Sequence, residues 1–372
     1  MSGASRAAPA EPLVRAACAA DNDALLALAR RCPMDADISL LVERDPDFFA
    51  LARARGESHT LVAELDAELI GCISSWRRPA WLGGKVTEIG YLGDLRVDPR
   101  HRRRRVGWEL GRAILGSLDA LPPAPYLVAT GVGNRAVAPL VAVFGAARPP
   151  IARFTSWQLL PVRRFGIPAS LDIGAAEDRD EPELVALLDE FHRPRDCAPV
   201  FGDGGFRALL ARSSGMGLGD YLLARRAGRI VAALGLWDAS AVKRTRVVGL
   251  PWWLRGACAV ARGLGRAGPL RALPQPDTLL KFRYLRHAAH RRGEETAMQA
   301  LVRSAVNAAG RRNEQFVAFG CADDDPLLRA AAGAPRIGFR YAMVAGDIRP
   351  GAPTLRARPA ADSWYYDDGA LA

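Results

Sequence analysis

Apolar residues recur along this chain with two periods, and the order in which those periods alternate predicts the architecture. A short strand at Leu13–Ala16 precedes a helix opened by Asp21, with Leu25, Leu26, Leu28 and Ala29 as its apolar stripe. A second helix is expected near 47–54. Strands at 59–64 and 69–76 flank Leu65-Asp66-Ala67-Glu68, which suits a hairpin turn. A longer strand, 87–97, stops at Asp98-Pro99, and an arginine-rich loop leads into a helix over 106–118 with Leu110, Ile114, Leu115 and Leu118 on one side. A strand at 126–130, a helix near 135–143 and a strand at 154–160 complete this half.

The same order then returns. A strand near 171–173, helices at 181–191 and 206–212, and strands at 221–225 and 229–237 around Ala227-Gly228 match the opening of the first half. Further on come a strand at 279–285, a helix at 294–309, a strand at 315–319, a helix after Asp325-Pro326 and a strand at 338–344. Tyr91-Leu92 followed by His101-Arg102-Arg103 is echoed by Tyr284-Leu285 followed by His290-Arg291-Arg292, each between a strand and the long helix. Shared order and local echo predict an internal duplication. Its units are 1–166 and 167–349, with a tail over 350–372, and the fold class is α/β, a mixed and mostly antiparallel sheet flanked by helices in each unit.

Composition narrows the function classes. The 372 residues suit two domains, and 49% hydrophobic content supports packed cores. No apolar run approaches the ~18–20 residues of a membrane span. The first residues lack the apolar segment of a secretory signal, and six scattered cysteines form no CxxC pair. A cytoplasmic protein without a structural metal is expected. The net charge of +11 raises the question of nucleic acid, but only three of the 51 basic residues are lysine (85, 243, 281) and the excess is shared evenly between the halves. That is the mark of a compositional bias, and charge alone supports no binding mode.

The informative segment runs from Tyr91 through Asp98 and Arg102-Arg103-Arg104-Arg105-Val106-Gly107. A strand ends, an arginine loop follows, and a helix begins at a glycine, so free backbone N–H groups and the positive end of a helix dipole meet where a phosphate could sit. Neither a Walker A spacing nor a GxGxxG fingerprint is present.

This segment resembles the acetyl-CoA loop of the Gcn5-related N-acetyltransferases (GNAT), R/Q-x-x-G-x-G/A, with Arg105 standing where the first glycine is usual and Gly107 kept. Gly133-Asn134-Arg135-Ala136 is similar to the family's Asn-x-x-Ala segment beside the pantetheine arm of CoA. The resemblance implies that acetyl-CoA is the co-substrate, bound by Leu95, Arg96, Val97, Arg102, Arg103, Arg104, Arg105, Val106, Gly107 and Asn134. It implies an oxyanion held by backbone N–H groups of 95–97. The tyrosine that relatives place seven residues after the asparagine is Val141 here, and Phe144 has no hydroxyl, so the general acid is missing or comes from elsewhere.

An amine attacking a thioester must lose a proton, for which a carboxylate is a suitable base. Asp94 is the candidate base or substrate contact, and Glu88, six residues earlier on the same strand, shares its face by the period-two rule. In the second half, Arg291-Arg292-Gly293-Glu294-Glu295 sets two carboxylates where pyrophosphate needs positive potential, so that half is read as a degenerate, non-catalytic unit.

The expected function is therefore acyl-CoA-dependent N-acyl transfer, with acetyl as the default group and a small-molecule or protein amine as acceptor. Two alternatives stand beside it: a catalytically inactive acyl-CoA-binding scaffold, and a basic nucleic-acid-associated protein. His287-x-x-His290 without an HExxH frame is not a metal motif. The Trp252-Trp253 stretch, with Arg255, Arg262 and Arg266, fits an interdomain loop or lid better than a membrane-surface helix, because four glycines weaken it.

Overall fold

The computed structural model describes residues 11–34, 38–132, 150–253, 255–256, 259–260, 275–346 and 365. The first half contains β1 (Leu13–Ala16), α1 (Asn22–Arg31), β2 (Ser39–Glu43), α2 (Ala50–Arg55), β3 (Glu57–Leu65), β4 (Glu68–Leu82), β5 (Lys85–Val97), α3 (Val106–Ser117), β6 (Tyr126–Gly131) and β7 (Ala152–Leu159). The second contains β8 (Asp172–Ala175), α4 (Glu181–His192), α5 (Gly205–Arg212), β9 (Tyr221–Arg226), β10 (Arg229–Trp237), β11 (Arg244–Gly249), β12 (Phe282–His290), α6 (Glu295–Arg311), β13 (Phe316–Ala322) and β14 (Arg336–Gly346). The helix expected near 135–143 lies outside the described residues.

Local chemistry explains most of these elements. Leu25, Leu26, Leu28 and Ala29 are all buried along α1, as their helical spacing requires. The β3–β4 turn has Asp66 and Ala67 at positive φ and the β9–β10 turn has Ala227 and Gly228 there, so both hairpins turn through two left-handed residues. Three expectations shift. The strand expected over 279–285 is Phe282–His290, because Arg286 and His287 look polar in sequence yet are 4% and 1% exposed. The helix after Pro326 is a 3₁₀ helix, Pro326–Ala331. Strands β2 and β11 were not expected.

One 12-stranded sheet runs through both halves, in the order β1-β3-β4-β5-β6-β14-β7-β13-β12-β10-β9-β8. Its centre is an exchange. The last strand of the second half, β14, pairs antiparallel with β6 and β7, while β7 pairs with β13 and β14. Each half thus lends its final strand to the other's sheet, and the backbone groups of both strands are satisfied across the junction.

Helices cover both faces. α3 packs Val106, Leu110 and Ile114 onto Leu61, Ile70 and Tyr126, whereas α1 lies on the opposite face with Val62 and Cys72. α6 buries one face against Leu234, Leu285 and Phe319. Leu51 and Ala54 of α2 share a cluster with Leu187, Tyr221, Trp237 and Tyr284, which ties the first half's helix to the second half's core. A two-stranded ribbon of β2 and β11 makes a second tie, with Arg244 opposite Glu43 and Val247 opposite Leu40. No helix among the described residues is long and apolar enough to cross a membrane.

Candidate functional site

The site is built on an irregularity in β5. Ser74 of β4 faces Gly93 and Cys72 faces Arg96, so two residues of β5, Asp94 and Leu95, stand against the single residue Ile73. Asp94 carries the bulge with φ +53°. On its other side β5 pairs in parallel with β6 only at Gly90–Tyr126 and Tyr91–Leu127. Beyond Tyr91 the two strands have no further pairing, leaving a fork whose β5 prong carries Leu92 to Val97.

The fork carries a polar group on one prong and apolar side chains on the other. Thr130 on the β6 prong has a buried hydroxyl with no hydrogen-bond partner among the described residues, and a buried polar group without a partner is costly unless something supplies one. Leu95 and Val97 pack toward α3. At the end of the fork Asp98 is buried and accepts from Arg31 Nε (2.6 Å) and from the backbone N–H of Arg100 (2.9 Å), which pins the start of the loop. Those partners, Arg100 foremost, hold the Asp98 carboxyl well below the usual carboxylate range.

Arg102, Arg103, Arg104 and Arg105 are exposed, and Arg105 caps α3 with φ +62°. It therefore adopts the left-handed conformation that glycine ordinarily supplies, at a cost of roughly 1–2 kcal/mol for its β-carbon. Val106 is buried under the helix, and Gly107 stands in its first turn. A β-carbon added at Gly107 would make only ordinary contact, 3.7 Å from Val97 Cγ2. Asn134 lies outside the described residues.

On the face opposite α3, the bulge turns Asp94 into a buried charge cluster. Its Oδ1 accepts from Arg44 Nη2 at 2.5 Å and its Oδ2 from Arg55 Nη1 at 3.2 Å, with all three side chains 7% exposed or less. The arginines, Arg44 ahead of Arg55, outweigh burial and hold the Asp94 carboxyl well below the usual range. Arg55 also lies 4.0 Å over the ring of Trp76. Lys243, immediately before β11, comes within the same field and sits 4.9 Å from the centre of the Tyr284 ring. Burial, then Arg55 and Arg44, push its ammonium well below the usual lysine range.

Glu88 is not brought to this cluster. It is exposed near the start of β5, opposite Pro79, and the extra residue at the bulge breaks the period-two count that joined it to Asp94. Arg96 lies near Cys32, whose carbonyl accepts from its Nη1 at 3.4 Å. Arg44 and Lys243 escaped the sequence reading as site residues because strands β2 and β11, which abut them, escaped it too. Leu40-Leu41-Val42 and the alternating Arg244-Thr245-Arg246-Val247 were the available signals.

The second half repeats the geometry with other chemistry. Ala233 faces Ala289 and Gly235 faces Arg286, so β12 also bulges, and its His287 has φ +54°. Tyr284 and Tyr91 each stand three residues before the bulge. Strands β12 and β13 pair in parallel through Leu285–Phe319 and then part. His287 is buried, its Nδ1 2.6 Å from the Tyr221 hydroxyl, while His290 Nδ1 meets the Arg291 carbonyl at 2.9 Å. A small cavity in this second fork is lined by His192, His287 and Phe319 and closed by Tyr365. Gly293 has φ +83°, and Glu294 is held by Arg226 at 3.1 and 3.0 Å. Among the described residues no group of three or more potential ligands is placed to hold a metal.

Comparison with known proteins agrees with this geometry. A family model described as the acetyltransferase (GNAT) family matches residues 13–139. Acetyl transferase GW6a of Oryza sativa subsp. japonica is 31% identical over 323 residues, which span 80% of this chain and 72% of that protein. A GCN5-related N-acetyltransferase from Sphaerobacter thermophilus superposes with a TM-score of 0.59 at 16% identity, covering 94% of this chain and 99% of that one. Saccharomyces cerevisiae N-myristoyltransferase with bound myristoyl-CoA gives 0.59 at 12% identity, covering 93% and 85%. These two establish the fold, a mixed sheet flanked by helices with two such units in tandem. This chain belongs to the acetyltransferase (GNAT) family.

Proposed function

We propose that this chain is an acyl-CoA-dependent N-acyltransferase that moves an acetyl group from acetyl-CoA to an amine, with CoA taken by the first half and the second half completing the acceptor side. The observation that carries this reading is the bulged fork between β5 and β6, open beside the arginine-capped N-terminus of α3. Pantetheine would lie along the open edge of β5, the pyrophosphate at 102–107, and the thioester at the bulge. There, backbone N–H groups of 95–97 would stabilise the tetrahedral oxyanion. The two units are read as 1–166 and 167–349, followed by a tail.

Asp94 enters as a charge on the acceptor side. Both of its oxygens hold arginines, and a carboxylate with so low a proton affinity is a poor base near neutral pH. Lys243, whose surroundings favour the neutral amine, is the base in this reading, and Arg44 and Arg55, both held by Asp94, act on it electrostatically. Glu88 remains a distant, solvated carboxylate.

Calorimetry with acetyl-CoA, followed by mass spectrometry of a panel of small amines and protein N-termini, tests the reading. Binding with acetylated product supports it. Tight binding with no product would establish the scaffold alternative instead. Absence of binding, together with steeply salt-dependent association with nucleic acid, would establish the third reading.

A further inference from the structure

An acyl transfer that expels CoA needs a proton for the departing sulfur, and Val141, where relatives carry a tyrosine, has none to give. We propose that Tyr341, carried into the first half's sheet by the exchanged strand β14, is the general acid that protonates the CoA thiolate. The proposal rests on the transferase reading above and assigns one catalytic group within it.

Register places the residue. Tyr341 stands directly opposite Gly131, the last residue of β6. Directly opposed residues of an antiparallel pair project to the same face. On that face β6 presents Leu127, Ala129 and Gly131, and a β-carbon added at Gly131 would meet nothing within 4 Å. Among the described residues, Ala129 and Gly131 therefore leave space beside the position of the phenol.

Packing sets the ring on the face of the sheet that carries the last residues to pair before the fork. Tyr341 lies against the cluster that includes Tyr91 and Leu127, the last residues to pair before β5 and β6 part, together with Phe154 and Met343. This is also the face onto which the bulge turns Asp94, since Arg55, its partner, covers Trp76 of the same cluster. Tyr341 and Tyr284 act on one another electrostatically, and Tyr284 borders Lys243. Burial raises the Tyr341 phenol above its usual range, which keeps it protonated at neutral pH.

The step balances. The amine nitrogen attacks the thioester carbonyl carbon, the C–S bond breaks, and its electron pair stays on sulfur. The phenol proton passes to sulfur to give the thiol, and the proton that Lys243 takes from the amine returns to the phenolate through solvent.

Tyr341→Phe removes the hydroxyl alone. With acetyl-CoA and a tryptic peptide mixture as the amine source, and CoA release followed with a thiol reagent, kcat should fall on the order of 10²-fold or more. KM for acetyl-CoA should hold, and the alkaline limb of the wild-type pH profile should disappear. Tyr341→His, which restores a donor, should recover part of the rate, and the melting temperature checks that each variant is folded. A second readout needs no turnover: the preference for CoA over desulfo-CoA, measured by calorimetry at mildly alkaline pH, should shrink in Tyr341→Phe. Wild-type kcat, or a loss confined to KM, would overturn the assignment. A wild-type protein that binds CoA but releases none from acetyl-CoA overturns the transferase reading instead. The desulfo-CoA comparison then still decides whether Tyr341 faces the sulfur, and an unchanged preference would reject it.

Discussion

Asp94 shows how one backbone torsion sets the chemistry of a side chain. Regular alternation would send it to the α3 face with Leu92; the positive φ of the bulge turns it toward Arg44 and Arg55. As their shared counter-ion it is structural as well as electrostatic, and Asp94→Asn should cost roughly 3–5 kcal/mol, the usual loss when a buried pair is broken from one side. Its depressed pKa gives the sign of the acid dependence. The stabilisation is complete above the unfolded value of about 4 and is lost as pH falls toward the folded one, so the wild-type protein should lose an acid-side increment that the variant lacks. Thermal melts of both between neutral pH and about pH 3 would show it. If Asp94→Asn melted like the wild type and lost only kcat, Asp94 would be a base after all. At the loop proposed to take the pyrophosphate, Gly107→Val should abolish calorimetric binding of CoA without unfolding, because the protein itself has room for a β-carbon there. Gly293→Val should leave CoA binding intact and cost about 1–2 kcal/mol through its left-handed backbone; loss of CoA affinity in that folded variant would make the second loop a competent site.

Among elements, the β2–β11 ribbon has an effect larger than its size. Arg44 follows β2 and Lys243 precedes β11, so pairing of the two strands sets Arg44 on Asp94 and brings Lys243 into the same field. Val247 is 1% exposed within the ribbon. Val247→Asp would bury an unpaired charge and should unfasten the ribbon. The expected outcome is a fall in kcat/KM for the acceptor with little change in CoA affinity, since the fork proposed to take CoA is made by β5, β6 and α3. Equal losses for both substrates would show that the ribbon supports the whole fold rather than the acceptor side. The ribbon was hard to read because two strands 200 residues apart, each short and each with a polar partner edge, carry no local sign of pairing with one another.

For the whole molecule, the exchange of β7 and β14 makes folding a joint event. Fragment 1–166 alone would leave β7 without either of its strand neighbours, and fragment 167–372 would leave β14 in the same state. Each fragment should be aggregation-prone by itself, and co-expression should restore a soluble complex. The intact chain should melt in one transition; two separated calorimetric transitions would count against this coupling. Acid should also weaken the second half. His192 and His287 are buried and pushed well below the usual imidazole range, by desolvation first and then by Arg195 and Arg286 respectively. They stay neutral in the folded state, so stability should decline as pH falls below about 6.5, where the unfolded histidines take up protons. Hydrophobic period, turn chemistry and the echo between Tyr91 and Tyr284 were enough to determine most of the element order, the repeated halves, the fork strand and the arginine loop ahead of α3, because each is a local property of consecutive residues. The bulge that separates Glu88 from Asp94, the arginines that clamp Asp94, the ribbon that delivers Lys243 and the exchanged strand that delivers Tyr341 were decided by tertiary structure. Each depends on contacts between segments far apart in the chain, and no periodicity within either segment records its partner.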